Sequence, residues 1–278
     1  MGARKYPSPA RSASQPVNGQ AKVLILDIET APILGNVWSI WQQNVGLNQI
    51  ERDWYILSFG AKWLGQDKVI YYDQSRAAEI EDDTVLLGKL WKLLDEADIM
   101  VAHNGKQFDA KKINARFILA GMSPPSPYKV VDTLLIAKAQ FKFTSNKLEY
   151  LADKLNTKYK KLSHAKYPGF SLWKGVMAGD KAAWAEMRTY NEHDVLSLEE
   201  LYLILRPWDR KHPNVDVYDD THEGTACPVC GSHHLQKRGW HTTNVGKYQR
   251  YACNGCGAWS HARTPVNTKG KRRGLLAT

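Results

Sequence analysis

The sequence lacks the features that would place it in a membrane or in the secretory pathway. No apolar run approaches the roughly 18 residues that a transmembrane helix needs. The first twenty residues contain no apolar segment of the kind found in signal peptides. We therefore expect an intracellular, cytoplasmic protein with no membrane partner. With 43% hydrophobic and 10% aromatic residues, the 278-residue chain can bury a sizeable core, which excludes wholesale disorder.

Cysteine and acidic residues are each missing from one part of the chain. Residues 1–223 contain no cysteine, and residues 224–278 contain nine lysines and arginines but no aspartate or glutamate. Residues 1–22 carry four basic residues and no acidic one, whereas residues 23–223 carry 25 basic and 28 acidic residues, a formal charge of −3. The overall charge of +10 therefore belongs to two basic ends that flank a slightly acidic body.

The pattern of apolar residues predicts a mixed α/β sheet covered by helices. Three strands come first, and strands then alternate with helices, which is typical of this fold class. We expect buried strands at 23–26, 99–102 and 128–131, a hairpin over 55–72 that turns at residues 65–67, and helices at 79–97, 108–120, 148–155 and 180–205.

Composition divides the chain into five segments. Residues 1–21 are rich in Pro, Ser, Gln and Gly and are predicted to be a flexible basic arm, with a disordered end as the alternative. Residues 22–206 form the α/β domain, and the polar residues 207–223, with two prolines, form a linker. Residues 224–262 form a small cysteine-containing module, and residues 263–278 form a basic tail.

Two carboxylates stand at the end of the first predicted strand. Asp27 and Glu29 are two residues apart, so both side chains point to the same side of the strand. Ligands of open α/β sheets bind at the carboxyl ends of the strands. Two like charges held together favour a bound cation. Taken alone, the pair is also compatible with a solvated strand end.

Two further motifs add acidic residues to the same domain. The strand 99–102 is followed by Asn104, Phe108 and Asp109, and Asp109 would lie near the first pair if the two strands are neighbours. On the last long helix, Tyr190 and Asp194 are four residues apart and share one face. Each has an ordinary alternative, since Asp is common in the first turn of a helix and on helix surfaces.

Together these motifs resemble the DnaQ-like 3′–5′ exonucleases, which have an RNase H-like fold. The family's motifs are Asp-x-Glu, an Asn followed by Phe-Asp, and Tyr-x-x-x-Asp, all present here in the same order. The resemblance covers roughly residues 22–205. Thr189 stands where the histidine branch has His, so the chain is similar to the tyrosine branch, as in the exonuclease domains of family B DNA polymerases. The residues after the linker are too few for a polymerase domain.

The resemblance implies a role for each motif residue. Asp27, Glu29, Asp109 and Asp194 would be catalytic and would hold two Mg²⁺ or Mn²⁺ ions, which activate water and stabilise the leaving oxygen. Asp27 would bridge both ions. The hydroxyl of Tyr190 would orient the attacking water, because a Tyr pKa near ~10 disfavours proton abstraction.

Other residues are candidates for binding the substrate. Asn104 could contact the substrate or a metal-bound water, and Phe108 could pack under a terminal base or belong to the core. Residues 158–167 mix cations and aromatics, including Lys160 and Lys161, as a single-strand groove would, although a solvated loop fits equally. The indoles of Trp38 and Trp41 could stack on bases, but we expect them to belong to the core.

The four cysteines form two knuckles of the pattern Cys-x-x-Cys-Gly, separated by a spacer of 22 residues. This spacing resembles a zinc ribbon, in which four thiolates close a tetrahedral structural Zn²⁺ site. The glycines allow a left-handed turn after each second ligand. Zinc is favoured over disulfides because nothing indicates secretion. The ligands would be Cys227, Cys230, Cys253 and Cys256.

The module and its tail mix cations with aromatic residues, as nucleic-acid-binding surfaces do. We expect Lys237, Arg238 and Trp240 to contact nucleic acid, with protein docking as the alternative. The sequence thus predicts a two-metal 3′–5′ exonuclease of DNA replication and repair that favours single-stranded DNA and works beside replication or recombination proteins. An RNA 3′-end exoribonuclease, a structure-specific endonuclease and a nonenzymatic nucleic-acid-binding adaptor remain the alternatives.

Overall fold

The computed structural model describes residues 20–155, 158–159 and 166–276. Most of the predicted arm therefore lies outside the described residues. The chain forms two compact units. The first contains residues 22–135 and 143–201, and the second contains residues 136–142 and those from 202 onward. Among the described residues, none of the helices combines the length and the apolar character needed to cross a membrane.

The first unit is built around a five-stranded mixed sheet. Its strands follow the order β5-β4-β1-β6-β7, in which β1 pairs antiparallel with β4 and parallel with β6. This agrees with the predicted mixed α/β class. The strands are β1 (Val23–Thr30), β2 (Leu34–Gly35), β3 (Ile50–Arg52), β4 (Ile56–Trp63), β5 (Ile70–Asp73), β6 (Ile99–Ala102) and β7 (Lys129–Asp132), of which β2 and β3 form a separate two-stranded sheet.

Helices cover this sheet on both faces. Most of them were predicted, with boundaries displaced by a few residues, whereas the short α5 was not. The helices are α1 (Thr84–Glu96), α2 (Asp109–Leu119), α3 (Thr133–Gln140), α4 (Leu148–Leu155), α5 (Ser171–Met177) and α6 (Lys181–Leu205). A 3₁₀ turn at Leu47–Gln49 precedes β3, and another at Arg206–Trp208 follows α6.

Alternation along β1 separates the apolar core from the polar face. Leu24, Leu26 and Ile28 are buried in one cluster with the apolar residues of α1 and α2. Because successive side chains of a strand point to opposite faces, Asp27 and Glu29 point to the other face of the sheet. Helices α5 and α6 pack on that other side, in a second apolar cluster.

The segment that follows β1 contradicts one sequence prediction. Trp38 is 95% exposed and Trp41 is 77% exposed, so neither belongs to the core. The interval between β2 and β3 folds as an excursion from the sheet, and no described element covers the two indoles. Their large apolar side chains suggested burial, but the path of the chain leaves them at the surface.

The second unit carries a three-stranded antiparallel sheet with the order β10-β9-β8. Its elements are a 3₁₀ turn (Val215–Tyr218), β8 (Leu235–Thr242), β9 (Lys247–Cys253), β10 (Trp259–Pro265) and a short helix α7 (Lys269–Arg273). The stretch predicted to be a linker has defined contacts in this unit, since the N–H of Val215 donates to the carbonyl of Pro228 at 2.9 Å. Strand β10 and helix α7 occupy part of the stretch that we expected to be a tail.

Candidate acidic active site

Three carboxylates converge on the face of the sheet that α6 covers. Asp27 and Glu29 lie near the end of β1, and Asp194 lies on α6. One carboxylate oxygen from each residue can be chosen so that all three lie within 4.8 Å of one another, and the three residues are partly buried. Oxygen donors grouped in this way are the ligands that Mg²⁺ and Mn²⁺ prefer. The donor set therefore fits a divalent ion.

Asp109 contacts the same strand, β1, from helix α2. It is the first residue of α2 and is 2% exposed. Its Oδ1 accepts a hydrogen bond from the backbone N–H of Ile28 at 3.3 Å. Strands β1 and β6 are neighbours in the sheet, which is the condition that the sequence argument required. The structure thus brings Asp109 next to the pair on β1, although outside the tight group of three.

A buried amide connects α6 to the first motif. Asn191 is fully buried, and its Nδ2 donates to Asp27 Oδ2 at 2.6 Å and to the carbonyl of Asp27 at 3.4 Å. Sequence reasoning passed over Asn191, although its place next to Tyr190 and three residues before Asp194 could have suggested it. The helix can approach so closely because Gly60 lies opposite Asp27 on β4.

Two aromatic side chains bond to the carboxylates. The Tyr190 hydroxyl hydrogen-bonds Asp194, and the Trp173 indole hydrogen-bonds Glu29. The two rings meet edge to face with centroids 6.2 Å apart. Nothing in the sequence indicated Trp173, because α5 reaches the site only through the tertiary fold.

Burial and the charges of neighbouring carboxylates raise the pKa of Asp27, Glu29 and Asp109. Burial, followed by the charges of Glu29, Asp109 and Asp194, raises the pKa of Asp27 well above its usual range, and the bond from Asn191 opposes this rise. Burial and the charges of Asp194 and Asp109 raise the pKa of Glu29 from 4.5 to about 8. Burial raises the pKa of Asp109 from 3.8 to about 7. Such a group needs protons or a cation to compensate its charge.

Two pockets near the carboxylates share Trp173 in their linings. The first, of about 400 Å³, opens beside Asp194 and is lined in part by Tyr167, Leu172 and His193. The second, of about 580 Å³, lies beyond the end of β1. Its walls include Ile33, Trp54, Lys112, Phe170 and Trp173. Pockets of this size accommodate small ligands or single units of a polymer.

The remaining residues of the second motif have supporting positions. Asn104 adopts a left-handed backbone with φ 68°, and its N–H donates to Asp132 Oδ1 at 3.0 Å. Phe108 is 36% exposed, and the Nζ of Lys112 lies 5.6 Å from the centre of its ring. Neither contact establishes a role in binding, so both assignments remain predictions.

The other predicted substrate contacts lie elsewhere. Lys160 and Lys161 are outside the described residues, so the groove proposed for that stretch stays a prediction. Lys237, Arg238 and Trp240 lie on β8 of the second unit and are exposed. The Nζ of Lys247 lies 4.7 Å from the centre of the Trp240 ring, so cation and aromatic surface are adjacent there.

The four cysteines of the second unit form one compact group of reduced thiols. Their sulfur atoms all lie within 4.8 Å of one another. The Cys227 and Cys256 sulfurs are 3.7 Å apart, and those of Cys230 and Cys253 are 3.6 Å apart. Sulfurs bound at about 2.3 Å to a tetrahedral Zn²⁺ would be separated by roughly 3.8 Å. The cysteine group therefore fits that ion.

Both knuckles have the predicted backbone shape. Gly231 and Gly257 have φ values of 71° and 82°, and each N–H donates to the carbonyl of the first cysteine of its knuckle. Burial raises the pKa of Cys227 to about 11. Burial also acts to raise the pKa of Cys253, but backbone N–H groups and neighbouring thiols lower it to about 7. A metal cation would stabilise the thiolates further.

Comparison with known proteins assigns the first unit to a family. A model of the RNase_H superfamily matches residues 24–206, about two thirds of the chain. The chain belongs to the RNase H superfamily. The matched region contains all four acidic residues and the whole five-stranded sheet. It ends just after α6, so the cysteine module lies outside it.

One solved structure similar to this RNase H superfamily protein is the family B DNA polymerase of the hyperthermophilic archaeon Pyrobaculum calidifontis. The two are 16% identical, with a TM-score of 0.47, over 67% of this chain and 25% of that chain. The chain therefore spans about a quarter of the polymerase's length. No curated protein matches the sequence.

Proposed function

We propose that this chain is a metal-dependent 3′–5′ exonuclease that hydrolyses phosphodiester bonds at the 3′ ends of nucleic acid. The observation that supports this most strongly is the convergence of the carboxylates of Asp27, Glu29 and Asp194, with Asp109 beside them. Membership of the RNase H superfamily supports nuclease activity in general. The 3′–5′ polarity follows from the resemblance of the three motifs to the DnaQ-like exonucleases.

The acidic residues would hold the catalytic ions. Asp27, Glu29 and Asp194 would ligate one divalent ion, and Asp27 and Asp109 would contribute to a second. Bound Mg²⁺ or Mn²⁺ would supply Lewis acidity that activates water and charge that stabilises the leaving oxygen. The fold already holds the carboxylates close together and partly shielded from water. The side chains would therefore move little when the ions bind.

Tyr190 would orient the attacking water rather than take its proton. Burial, together with the charges of Asp194, Glu29 and Asp27, raises the pKa of Tyr190 above its ordinary value of 10. The hydroxyl is therefore neutral at physiological pH, and it is anchored by its bond to Asp194. A neutral, fixed hydroxyl can position a water molecule but is a poor general base.

The pockets beside the site support single-stranded DNA as the favoured substrate. Trp54, Phe170 and Trp173 provide aromatic surface in the pocket beyond β1, where Trp173 also bonds to Glu29. Lys112 places a cation in the same pocket. Unpaired bases stack on aromatic side chains, and phosphates attract lysine. Paired bases are already stacked in a duplex, so an unpaired 3′ end would gain more from these walls.

The second unit would hold one structural Zn²⁺ and bind nucleic acid. Zinc would be ligated by the four clustered cysteines, a closed set with no position left for a substrate. Residues 224–278 carry nine basic side chains and no acidic one, so they would keep a positive charge even after the Zn²⁺ site with its four thiolates contributes about −2. Exposed Lys237, Arg238 and Trp240 on β8 would contact phosphates and bases.

Digestion of end-labelled oligonucleotides tests this function. Single-stranded DNA, duplex DNA, branched DNA and RNA, each labelled at the 5′ or the 3′ end, would be incubated with the protein and Mg²⁺ or Mn²⁺. We expect 5′-labelled single-stranded DNA to give a ladder that shortens with time. Asp27→Ala and Asp109→Ala should abolish the ladder, whereas Glu96→Gln, in an exposed ion pair with Lys22, should not.

The same assay separates the alternatives. A ladder from RNA alone would identify an exoribonuclease, and internal cuts in branched DNA would identify an endonuclease. Binding without cleavage in either metal would identify an adaptor. Degradation that persists unchanged in Asp27→Ala would contradict the assignment of the site.

A further inference from the structure

Asn191 on α6 donates a hydrogen bond to the Asp27 carboxylate on β1. Its Nδ2 lies 2.6 Å from Asp27 Oδ2 and 3.4 Å from the carbonyl oxygen of the same residue. Asn191 is completely buried, and so is shielded from competing water. A short hydrogen bond to a carboxylate in such surroundings is stronger than one at the surface.

The chemistry of its neighbour fixes the orientation of this amide. The backbone carbonyl of Asp27 only accepts hydrogen bonds, and so does its carboxylate when it binds a cation, so the side of the amide that faces Asp27 must be the NH₂ group. The other atom, Asn191 Oδ1, is buried with no hydrogen-bond partner among the described residues. Buried polar atoms normally have partners, so an orientation that leaves Asn191 Oδ1 without one needs a reason. The contact with Asp27 supplies the reason.

Gly60 provides the space that lets Asn191 reach Asp27. It lies opposite Asp27 on β4, where α6 crosses the sheet. A Cβ at this position would lie 2.8 Å from Val195 Cγ2, 3.1 Å from the carbonyl oxygen of Asn191 and 3.2 Å from Asn191 Oδ1. Any larger residue would therefore push the helix away from the strand. Gly60 on β4 and Asn191 on α6 are therefore both needed for the hydrogen bond to Asp27.

We propose that Asn191 is a positioning residue for the metal site, which holds the Asp27 carboxylate beside those of Glu29 and Asp194 and so sets the affinity for a divalent ion. Without this bond, a carboxylate repelled by two others would turn away from them. An ion could then bind only after the Asp27 carboxylate had turned back towards the other two, and this step would lower the affinity. The proposal rests on the proposed function only in requiring that a divalent ion binds these carboxylates.

The test measures Mn²⁺ affinity separately from nuclease activity. The full chain, with Zn²⁺ bound to its cysteines, would be titrated with Mn²⁺ and free Mn²⁺ followed by electron paramagnetic resonance. Asn191→Leu removes the donor at similar volume, and we expect it to weaken Mn²⁺ binding 10–100-fold, as loss of a residue that orients a ligand typically does. Asn191→Ala, which adds no volume, provides the same comparison if the leucine variant does not fold.

Gln74→Met is the matched control for loss of a buried amide. Gln74 is 5% exposed, and its Nε2 donates to the carbonyl of Asp82 at 2.8 Å, away from the carboxylates. We expect Gln74→Met to bind Mn²⁺ as the wild type does, even if it melts at a lower temperature. A folded Asn191 variant whose Mn²⁺ affinity stays within about twofold of the control would overturn the proposal. Wild-type protein that binds Mn²⁺ but degrades no nucleic acid would instead contradict the proposed function alone.

Discussion

Burial of the carboxylates and their mutual repulsion predict that the metal-free protein becomes less stable as the pH rises. Burial and neighbouring charges raise the pKa of Glu29 from 4.5 to about 8. Because the folded-state pKa lies above the unfolded one, the folded protein binds more protons between about pH 4.5 and 8. Stability from this group is fully present below that window and is lost as the pH rises through it.

The structure sets the size of the effect. Two carboxylates within 4.8 Å repel each other by roughly 3 kcal/mol at an effective dielectric constant of about 20. The rise in the Glu29 pKa corresponds to roughly 5 kcal/mol. We therefore expect a loss of about 2–5 kcal/mol between pH 5 and pH 8.5. For a domain of this size, that lowers the melting temperature by roughly 5–15 °C.

Thermal unfolding with and without divalent ions measures this effect. The buffer would be depleted of Mg²⁺ and Mn²⁺ but would contain no strong chelator, so that the cysteine site keeps its ion. Glu29→Gln removes one charge and should flatten the fall in melting temperature with pH. Mn²⁺ should stabilise the wild type far more at pH 8.5 than at pH 5, because ionised carboxylates bind it. Glu96→Gln, which changes only a surface carboxylate, should behave as the wild type does.

The comparison of Glu29→Gln with the wild type can refute this prediction in two ways. If Glu29→Gln loses stability with pH as steeply as the wild type, neither burial nor repulsion opposes the ionisation of Glu29 in the folded state. Equal stabilisation by Mn²⁺ of Glu29→Gln and wild type would likewise show that the ion binds elsewhere. Comparing the variants cancels the titration of carboxylates outside the site, which is common to all three proteins.

Three further predictions concern the proposed zinc, water and nucleic-acid contacts. Cys227→Ser should lower the zinc content below one ion per chain by elemental analysis, whereas His233→Ala should leave it unchanged, because four thiolates complete the site. Tyr190→Phe should lower kcat roughly 100-fold even at saturating Mn²⁺, where metal affinity does not limit the rate, which separates orientation of water from metal binding. The double variant Lys237→Gln and Arg238→Gln should weaken DNA binding and reduce the slope of log affinity against log salt by about 2, if both cations contact phosphates. An unchanged slope would show that β8 does not contact the DNA backbone.

Local patterns were sufficient to predict most of the elements. The buried run at 99–102 matches β6 in both boundaries, and the hairpin around residues 65–67 is present as β4 and β5. The helix predicted at 180–205 agrees with α6 (Lys181–Leu205) to within one residue at both ends. These signals succeed because the spacing of apolar residues follows directly from which face of an element is buried.

Other features could not be read from local patterns. Trp38 and Trp41 are exposed although large apolar residues are usually buried, because burial depends on whether another element covers the segment. Helix α5 is short, and its Trp173 meets Glu29 only through the tertiary fold. Strand β10 of the second unit has too few apolar residues to show an alternating pattern.

The candidate site shows the same division between local and tertiary information. The sequence by itself determined which residues carry charge. It also determined that Asp27 and Glu29 share one side of a strand and that Tyr190 and Asp194 share one side of a helix. These two pairings follow from the regular repeat of side chains along a strand and a helix. Only the tertiary structure decided that the strand and the helix meet. That meeting depends on the absence of a side chain at Gly60 and on the bond from Asn191 to Asp27. Contacts between distant segments depend on packing across the whole domain, which no local repeat encodes.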